Sequence, residues 1–429
     1  MLQLHQNSIR RAVGLAVLLV GLAMVLIEPL SAGKKKKEGE APASKTPDAK
    51  WMLEHLDHSK IVWPNPPAIT RVRYLDIFYA EKFEPSKAAR KKSAWMDRLS
   101  GVATGETRVT RSHFQLVTPY GVVVDSKGRL YVADEKVGAI FVFNTETKDV
   151  ELIKHGLHAR FKLITGLAID DADHLFVSDS MARRVLVFNP QHRLEGTITE
   201  GMASPAGLAI DNTNRFLYVA DADLDQVLVY DADSPHKLLR TIGTRSKNHE
   251  LTAPGDFSRP TNLAVDANGN LYVSDTFNDR VEIFDADGGF IRTFGKPGDG
   301  PGYFARPKGI AVDKDGHIWV ADGVQDRVQV FTPEGRLLLW MGGHGNLPGQ
   351  FGSIAGLTID KNNRVFTSEQ YPGRVQMFRY VSNEEAMAEK ARRDAEEQKK
   401  SEGAKAEKPP EVATQQDAAQ ANTSSSAAH

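Results

Sequence analysis

One pattern recurs six times in this chain, and a repeat of that kind leaves few folds open, because each unit must bury its apolar faces against near-identical neighbours. Its copies are PYGVVVDSKGRLYVADEKVGAIFVF from Pro119, TGLAIDDADHLFVSDSMARRVLVF from Thr165, PAGLAIDNTNRFLYVADADLDQVLVY from Pro205, PTNLAVDANGNLYVSDTFNDRVEIF from Pro260, PKGIAVDKDGHIWVADGVQDRVQVF from Pro307 and AGLTIDKNNRVFTSEQYPGRVQMF from Ala355. Three anchors keep phase throughout. The first acids are Asp125, Asp170, Asp211, Asp266, Asp313 and Asp360. Nine residues later, or ten in the third copy, stand Asp134, Asp179, Asp221, Asp275, Asp322 and Glu369. Nine further on come Phe143, Phe188, Tyr230, Phe284, Phe331 and Phe378.

Each copy reads as a three-strand meander. Segments such as GIAV, IWVA and VQVF are apolar or alternating, rich in β-branched and aromatic side chains, too short for helices and suited to strands covered on both faces. Between the first two strands, a step such as DKDG at 313–316 ends on a residue that tolerates the left-handed backbone of a tight hairpin. It is not a calcium loop, since DKDGHIWVADGV lacks the glycine and glutamate that such a loop requires at its sixth and twelfth positions. A fourth, outer strand follows in copies four and five, as GFIRTFG at 289–295 and GRLLLWMGG at 335–343. Copy six runs from Phe378 straight into a charged stretch, whereas RVRYLDIF at 71–78 is strand-like and has no partner of its own. That segment is predicted to join the last sheet and close the ring, which removes exposed edges. An independent N-terminal hairpin is the alternative, although an isolated two-stranded unit is rarely stable.

The phrases RPTNLAVDANGNLYVSDTFNDRVEIF and RPKGIAVDKDGHIWVADGVQDRVQVF resemble the NHL repeat, over residues 71–380 when the closing strand is counted. The resemblance implies an all-β fold, a six-bladed β-propeller of NHL repeats. The order WPNPP, RVRYL and then a helix before the first blade is also similar to bacterial NHL-repeat proteins of the cell envelope, many of them lipid-anchored. This chain has no cysteine and so departs from that anchoring. The same lack excludes thiolate metal sites, disulfides and cysteine nucleophiles.

The flanks differ in composition. Residues 12–27 are an unbroken apolar run behind Arg10 and Arg11, followed by Ser31, Ala32 and Gly33, the order of a secretory signal. Residues 1–32 are therefore predicted to be a signal peptide or an uncleaved membrane anchor, the run being slightly long for a signal core and slightly short for a spanning helix. Lys34 to Lys37 argue against easy export, because positive charge tends to stay cytoplasmic. Residues 33–70 read as a Pro- and Lys-rich linker, 71–381 as the propeller and 382–429 as a charged, low-complexity tail. A short amphipathic helix is expected at 86–99. The predicted location is the cell envelope, outside the cytoplasm, either periplasmic or membrane-anchored.

Function has to be read from sites, since propellers host both binding scaffolds and enzymes. The 54 basic and 55 acidic residues nearly cancel, so nothing draws the chain to nucleic acid. Arg184, Arg280, Arg327 and Arg374 recur in phase and read as structural partners of loop acids or carbonyls. Unique departures carry more information. The residue ahead of the repeat's glycine should face the channel mouth, where the chain offers Tyr120, Thr165, Ala206, Thr261, Lys308 and Ala355. Copy four replaces that glycine by Asn262, and copy six replaces the second Asp by Glu369. Tyr120, Thr165, Thr261, Asn262, Lys308 and Glu369 are thus the candidate ligand-binding residues, suited to a polar or anionic ligand. The histidines do not recur in phase, and the close pair His155 and His158 has no third ligand nearby. No metal site, catalytic residue or cofactor is assigned. The expected function is a non-catalytic scaffold that presents its loop face to a protein, peptide or glycan partner, with the membrane reached through an uncleaved N-terminal segment. The alternative is a metal-dependent lyase or lactonase at the channel mouth, for which Asn262, Glu369, His249 and His344 are the candidates.

Overall fold

The computed structural model describes residues 56–79, 115–153, 161–245 and 253–406. They form six antiparallel sheets arranged as the blades of a β-propeller, each named here from inner strand a to outer strand d. Blade one is Pro119–Val124, Arg129–Asp134, Ala139–Asn144 and Val150–Ile153. Blade two is Ile164–Ile169, Leu175–Asp179, Arg184–Phe188 and Leu194–Ile198. Blade three is Pro205–Asp211, Phe216–Asp221, Gln226–Asp231 and Leu238–Ile242. Blade four is Pro260–Val265, Leu271–Asp275, Arg280–Phe284 and Phe290–Phe294, and blade five is Pro307–Val312, Ile318–Asp322, Arg327–Phe331 and Leu337–Gly342. Blade six takes strands a to c from Ile354–Ile359, Arg364–Glu369 and Arg374–Tyr380. Each a strand packs on the next around the ring, and that of blade six packs on that of blade one.

Strand d of blade six comes from the other end of the chain. Val72–Phe78 pairs antiparallel with Arg374–Tyr380, with Tyr74 opposite Phe378. The alternation VRYLDIF suits an edge, because Val72, Tyr74 and Phe78 are buried while Leu75 faces out. Val62–Trp63 then adds a fifth strand outside it. This corrects the expectation of a linker through residue 70. The prolines of WPNPP remove donors only after Trp63, an edge strand needs none on its free side, and the Trp63 ring meets Phe378 edge-on at 5.8 Å.

The core is not one mass but six clusters, one at each blade interface. Between blades five and six lie Trp319, Val330, Met341, Phe351 and Phe378 with Val72 and Tyr74, and between six and one lie Phe366, Val375, Phe141 and Phe143 with Phe78. Strands b and c are buried on both faces for this reason, as their continuous apolar runs require.

The charged stretch after the propeller begins with a helix. Asn383–Ala406 is rich in the helix formers Ala, Glu, Lys and Arg. Ala386 is buried, Glu389 pairs with Arg73 of the closing strand, Glu385 pairs with Arg379 at 2.9 Å, and Arg393 donates to the Pro67 carbonyl at 3.0 Å. These exposed contacts hold the helix weakly, at about 0.2 to 1 kcal/mol for each ion pair. No helix among the described residues is long and apolar enough to cross a membrane. The apolar run at 12–27, the helix expected at 86–99 and the histidines at 155, 158 and 249 lie outside the described residues.

The closing strand gives a direct test. The Tyr74 ring fills the interface between blades five and six, but its hydroxyl is buried without a hydrogen-bond partner. Tyr74→Ala is therefore expected to cost about 3 to 5 kcal/mol in denaturant unfolding, whereas Tyr74→Phe, which removes only the orphaned hydroxyl, leaves stability equal or raises it.

Candidate functional site

The face that carries the b–c loops and the d–a connections is built on one buried carboxylate per blade. Asp134 accepts hydrogen bonds from Val117 and Thr118 in the connection ahead of strand a, and from Lys136 and Val137 in its own b–c loop. Asp221 and Asp322 do the same in blades three and five. Arg184 and Arg280 add guanidinium contacts to Asp179 and Asp275 at 3.0 and 2.8 Å. Arg327 differs, its guanidinium lying 5.3 Å from the centre of the Trp340 ring. Glu369 belongs to this set and is not a mouth ligand. It is fully buried, accepts from Gly352 N at 3.0 Å and Gln376 Nε2 at 2.6 Å, and pairs with Arg374 at 2.9 Å. The longer side chain does the work of the aspartates from one position.

Strand a opens with a register shift in every blade, and the shift turns the residue ahead of the glycine onto this face. The glycines form a collar where neighbouring strands nearly touch. A Cβ on Gly121, Gly166 or Gly207 would lie 2.3, 2.1 or 2.4 Å from a carbonyl oxygen of the next blade. The channel holds a cavity of about 200 Å³ lined by the a strands, the collar glycines included. Asn262 and Thr358 are the polar side chains on it, and Asn262 Oδ1 is buried with no hydrogen-bond partner.

The other candidates divide. Thr165 is buried and bonded to Ser178 Oγ at 3.0 Å and to the Pro205 carbonyl at 3.3 Å, so it joins blades two and three and does not offer a ligand group. The Thr261 hydroxyl pairs with that of Thr276 at 2.6 Å, and Thr276 in turn bonds the Pro307 carbonyl. Tyr120 and Lys308, both half-buried, do come together across the mouth, with the ammonium 5.7 Å from the ring centre. Burial pushes the Lys308 ammonium below its ordinary pKa, and Glu135 and Asp322 act against that. Burial likewise raises the Glu135 carboxyl, which accepts a long hydrogen bond from Gln370.

Two features escaped the repeat. At the second position after the buried acid, on the tips of the b–c loops, Met181, Phe277, Val324 and Tyr371 are 66%, 50%, 64% and 63% exposed. The other element is a Pro-Gly-x-Phe segment at 254–257, 301–304 and 348–351 that raises the d–a connections entering blades four, five and six. Phe257, Phe304 and Phe351 are buried against Gly243, Gly295 and Gly342, where a Cβ would fall within 2.4 Å of the ring. The glycine N–H groups of the segments donate to Glu282, Gln329 and Gln376 on the c strands. The threefold recurrence was present in the sequence, but outside the aligned copies.

Of the groups considered for a divalent ion, Glu369 is fully engaged, and the exposed side chain of His344 is bonded through Nδ1 to Asp326 at 2.7 Å. The one cluster of suitable donors among the described residues is Asp313, Asp315 and His317. It sits in an a–b hairpin at the far end of blade five, where Asp313 already accepts from His317 and from Trp319 Nε1. Such acids close the same hairpin in other blades, as Asp170 does with His174 and Asp360 with Arg364.

A family model described as DUF5128, 6-bladed beta-propeller, matches residues 257–328. No curated protein matches the sequence. Among solved structures, a structural genomics protein of unknown function from Bacteroides thetaiotaomicron is 16% identical, with 62% of this chain and 70% of that chain aligned at a TM-score of 0.50. A catalytically inactive virginiamycin B lyase from Staphylococcus aureus, crystallised with quinupristin, is 14% identical, with 62% and 95% aligned at a TM-score of 0.46. The chain is thus all-β and a six-bladed β-propeller, and likeness at this identity speaks to fold alone.

Glu282 stands where blades five and six carry glutamine, and burial pushes its carboxyl from the ordinary 4.5 up to about 7 against the pull of Arg280. The folded protein then holds a proton that the unfolded chain releases, so stability falls as pH rises from about 4.5 through about 7. Glu282→Gln supplies the amide used by its neighbours. Thermal melts across that range are expected to show a shallower fall in Tm than the wild type, with the variant the more stable at pH 8.

Proposed function

We propose that this chain is a non-catalytic binding propeller of the NHL kind, held outside the cytoplasm in the cell envelope, and that the face of the b–c loops docks a polypeptide partner. The observation that carries the reading is the set of exposed apolar residues Met181, Phe277, Val324 and Tyr371 at one repeat position around a single mouth. Single exposed apolar residues need no explanation, but a set on one face that covers no core has the make-up of an interface. Three belong to the consecutive blades four, five and six, the side raised by the Pro-Gly-x-Phe segments, and Leu347 is exposed on the same side. Arg306 and Arg259 lie 4.7 and 5.7 Å from the centre of the Phe277 ring and give this patch the aromatic and arginine character of binding hot spots.

The test is a variant with Phe277→Asp, Val324→Asp and Tyr371→Asp. These side chains are exposed, so the melt is expected to stay within about 3 °C of wild type. Partner capture from envelope extract is expected to fall by about tenfold or more, the loss given by about 1.4 kcal/mol or more at a hot spot. Equal capture of the same partners by both proteins overturns the reading.

A further inference from the structure

Lys308 is placed at the mouth with less compensation than a half-buried cation ordinarily has. Its stem lies along blade five, close enough that a Cβ on Gly323 would be 3.2 Å from both Cδ and Cε. Blade six presents only Ala355 at the equivalent position, and the ammonium reaches past it to the Tyr120 ring of blade one. Among the described residues no carboxylate stands within ion-pair distance of Nζ and no acceptor is hydrogen-bonded to it. The acids that act on it, Glu135 and Asp322, do so from farther off, and Asp322 already accepts from loop N–H groups. An ammonium half-withdrawn from water and without a partner gives up part of its hydration, which a bound counter-charge makes good. A second polar group is also incomplete. Asn262, in the neighbouring blade four, has its carbonyl Oδ1 buried without a donor.

Resting on the binding reading above, we propose that the channel mouth is a carboxylate site in which Lys308 takes an acidic group of a docked polypeptide. The charge balance favours a monoanion, since Glu135, acting on the ammonium from farther off, would repel a phosphate dianion more than a carboxylate. Glu135 is an acceptor, suited to the N–H groups that accompany a carboxylate on a peptide. The exposed apolar tips Phe277, Val324 and Tyr371 on the same face favour a polypeptide over an acidic polysaccharide, which has no apolar side chains to place there.

The test uses the full chain and a displayed library of random dodecapeptides, half with free and half with amidated C-termini. Selections are run in parallel on the wild type, on Lys308→Gln, which keeps most of the stem and removes the charge, and on the rim variant above. Thermal melts check that each variant is folded, and Lys308→Met is the substitute if the glutamine variant is not. Wild type is expected to enrich peptides with Asp, Glu or a free C-terminus together with apolar residues, and synthetic hits are expected to bind the Lys308 variant about tenfold more weakly. A C-terminal amide that abolishes binding assigns the carboxylate to the chain end, and an Asp→Asn or Glu→Gln change in the peptide assigns it to a side chain. Unchanged acid preference in the Lys308 variant, with binding lost in the rim variant, overturns the carboxylate site and leaves the binding reading standing. No enrichment on wild type overturns both. Binding of oligogalacturonate through Lys308 with no peptide enrichment overturns the assignment to a polypeptide.

Discussion

Everything on the loop face depends on a carboxylate buried at the end of each b strand. A charge in that position is tolerable only because donors from two elements converge on it. In blades one, three and five these are N–H groups of the connection ahead of strand a and of the b–c loop, and in blades two, four and six the connection N–H groups are joined by Arg184, Arg280 or Arg374 from strand c. The consequence is mechanical. The connection entering strand a is tied through one carboxylate to the b–c loop or to the start of strand c, so the residues that follow the acid and those that open strand a keep fixed positions. Phe277, Val324 and Tyr371 can therefore be exposed without being loose, and Lys308 can be held at the mouth without an ion pair.

Ring closure rests on different physics. Four interfaces lie between blades one to five, and each can be covered as the chain proceeds. The two that flank blade six need Val72–Phe78, which joins that blade across the whole length of the propeller, so their clusters are complete only when both ends of the domain are in place. The helix Asn383–Ala406 lies over the outside of this junction and grips it by Arg73 and the Pro67 carbonyl, through contacts too exposed to replace the apolar burial beneath.

Much of this was legible in the sequence because repetition averages out local ambiguity. A single GIAV or VQVF could belong to several folds, whereas six copies with three anchors in phase define a blade. The same logic made Tyr120 and Lys308 readable as mouth residues, since the register shift at the start of strand a repeats with the glycine. It also misled. Glu369 stood out as the one departure from Asp, yet it pairs with the in-phase Arg374 and accepts from the connection N–H of Gly352, so the change in residue was not a change in role. Thr165 looked open to the mouth, but the Ser178 hydroxyl that binds it lies on strand b, a neighbour that periodicity along one strand does not reveal. Trp63 was hidden by the prolines after it, which mark an irregular chain but do not prevent two preceding residues from pairing at an edge.

The Pro-Gly-x-Phe segments show why the face has a preferred side. They occur only ahead of blades four, five and six, each seated by a buried Phe against a glycine and by a c-strand Glu or Gln against a backbone N–H. In blades one, two and three the equivalent c-strand residues Phe141, Leu186 and Leu228 are apolar and fully buried, and no such anchor exists for a raised loop. A ring of near-identical blades has no reason to bind on one side. Here the polar anchors, the raised connections, three of the four apolar tips and Lys308 fall on the same half, with Met181 of blade two the exception, so three blades carry the asymmetry of the face while the other three complete the ring.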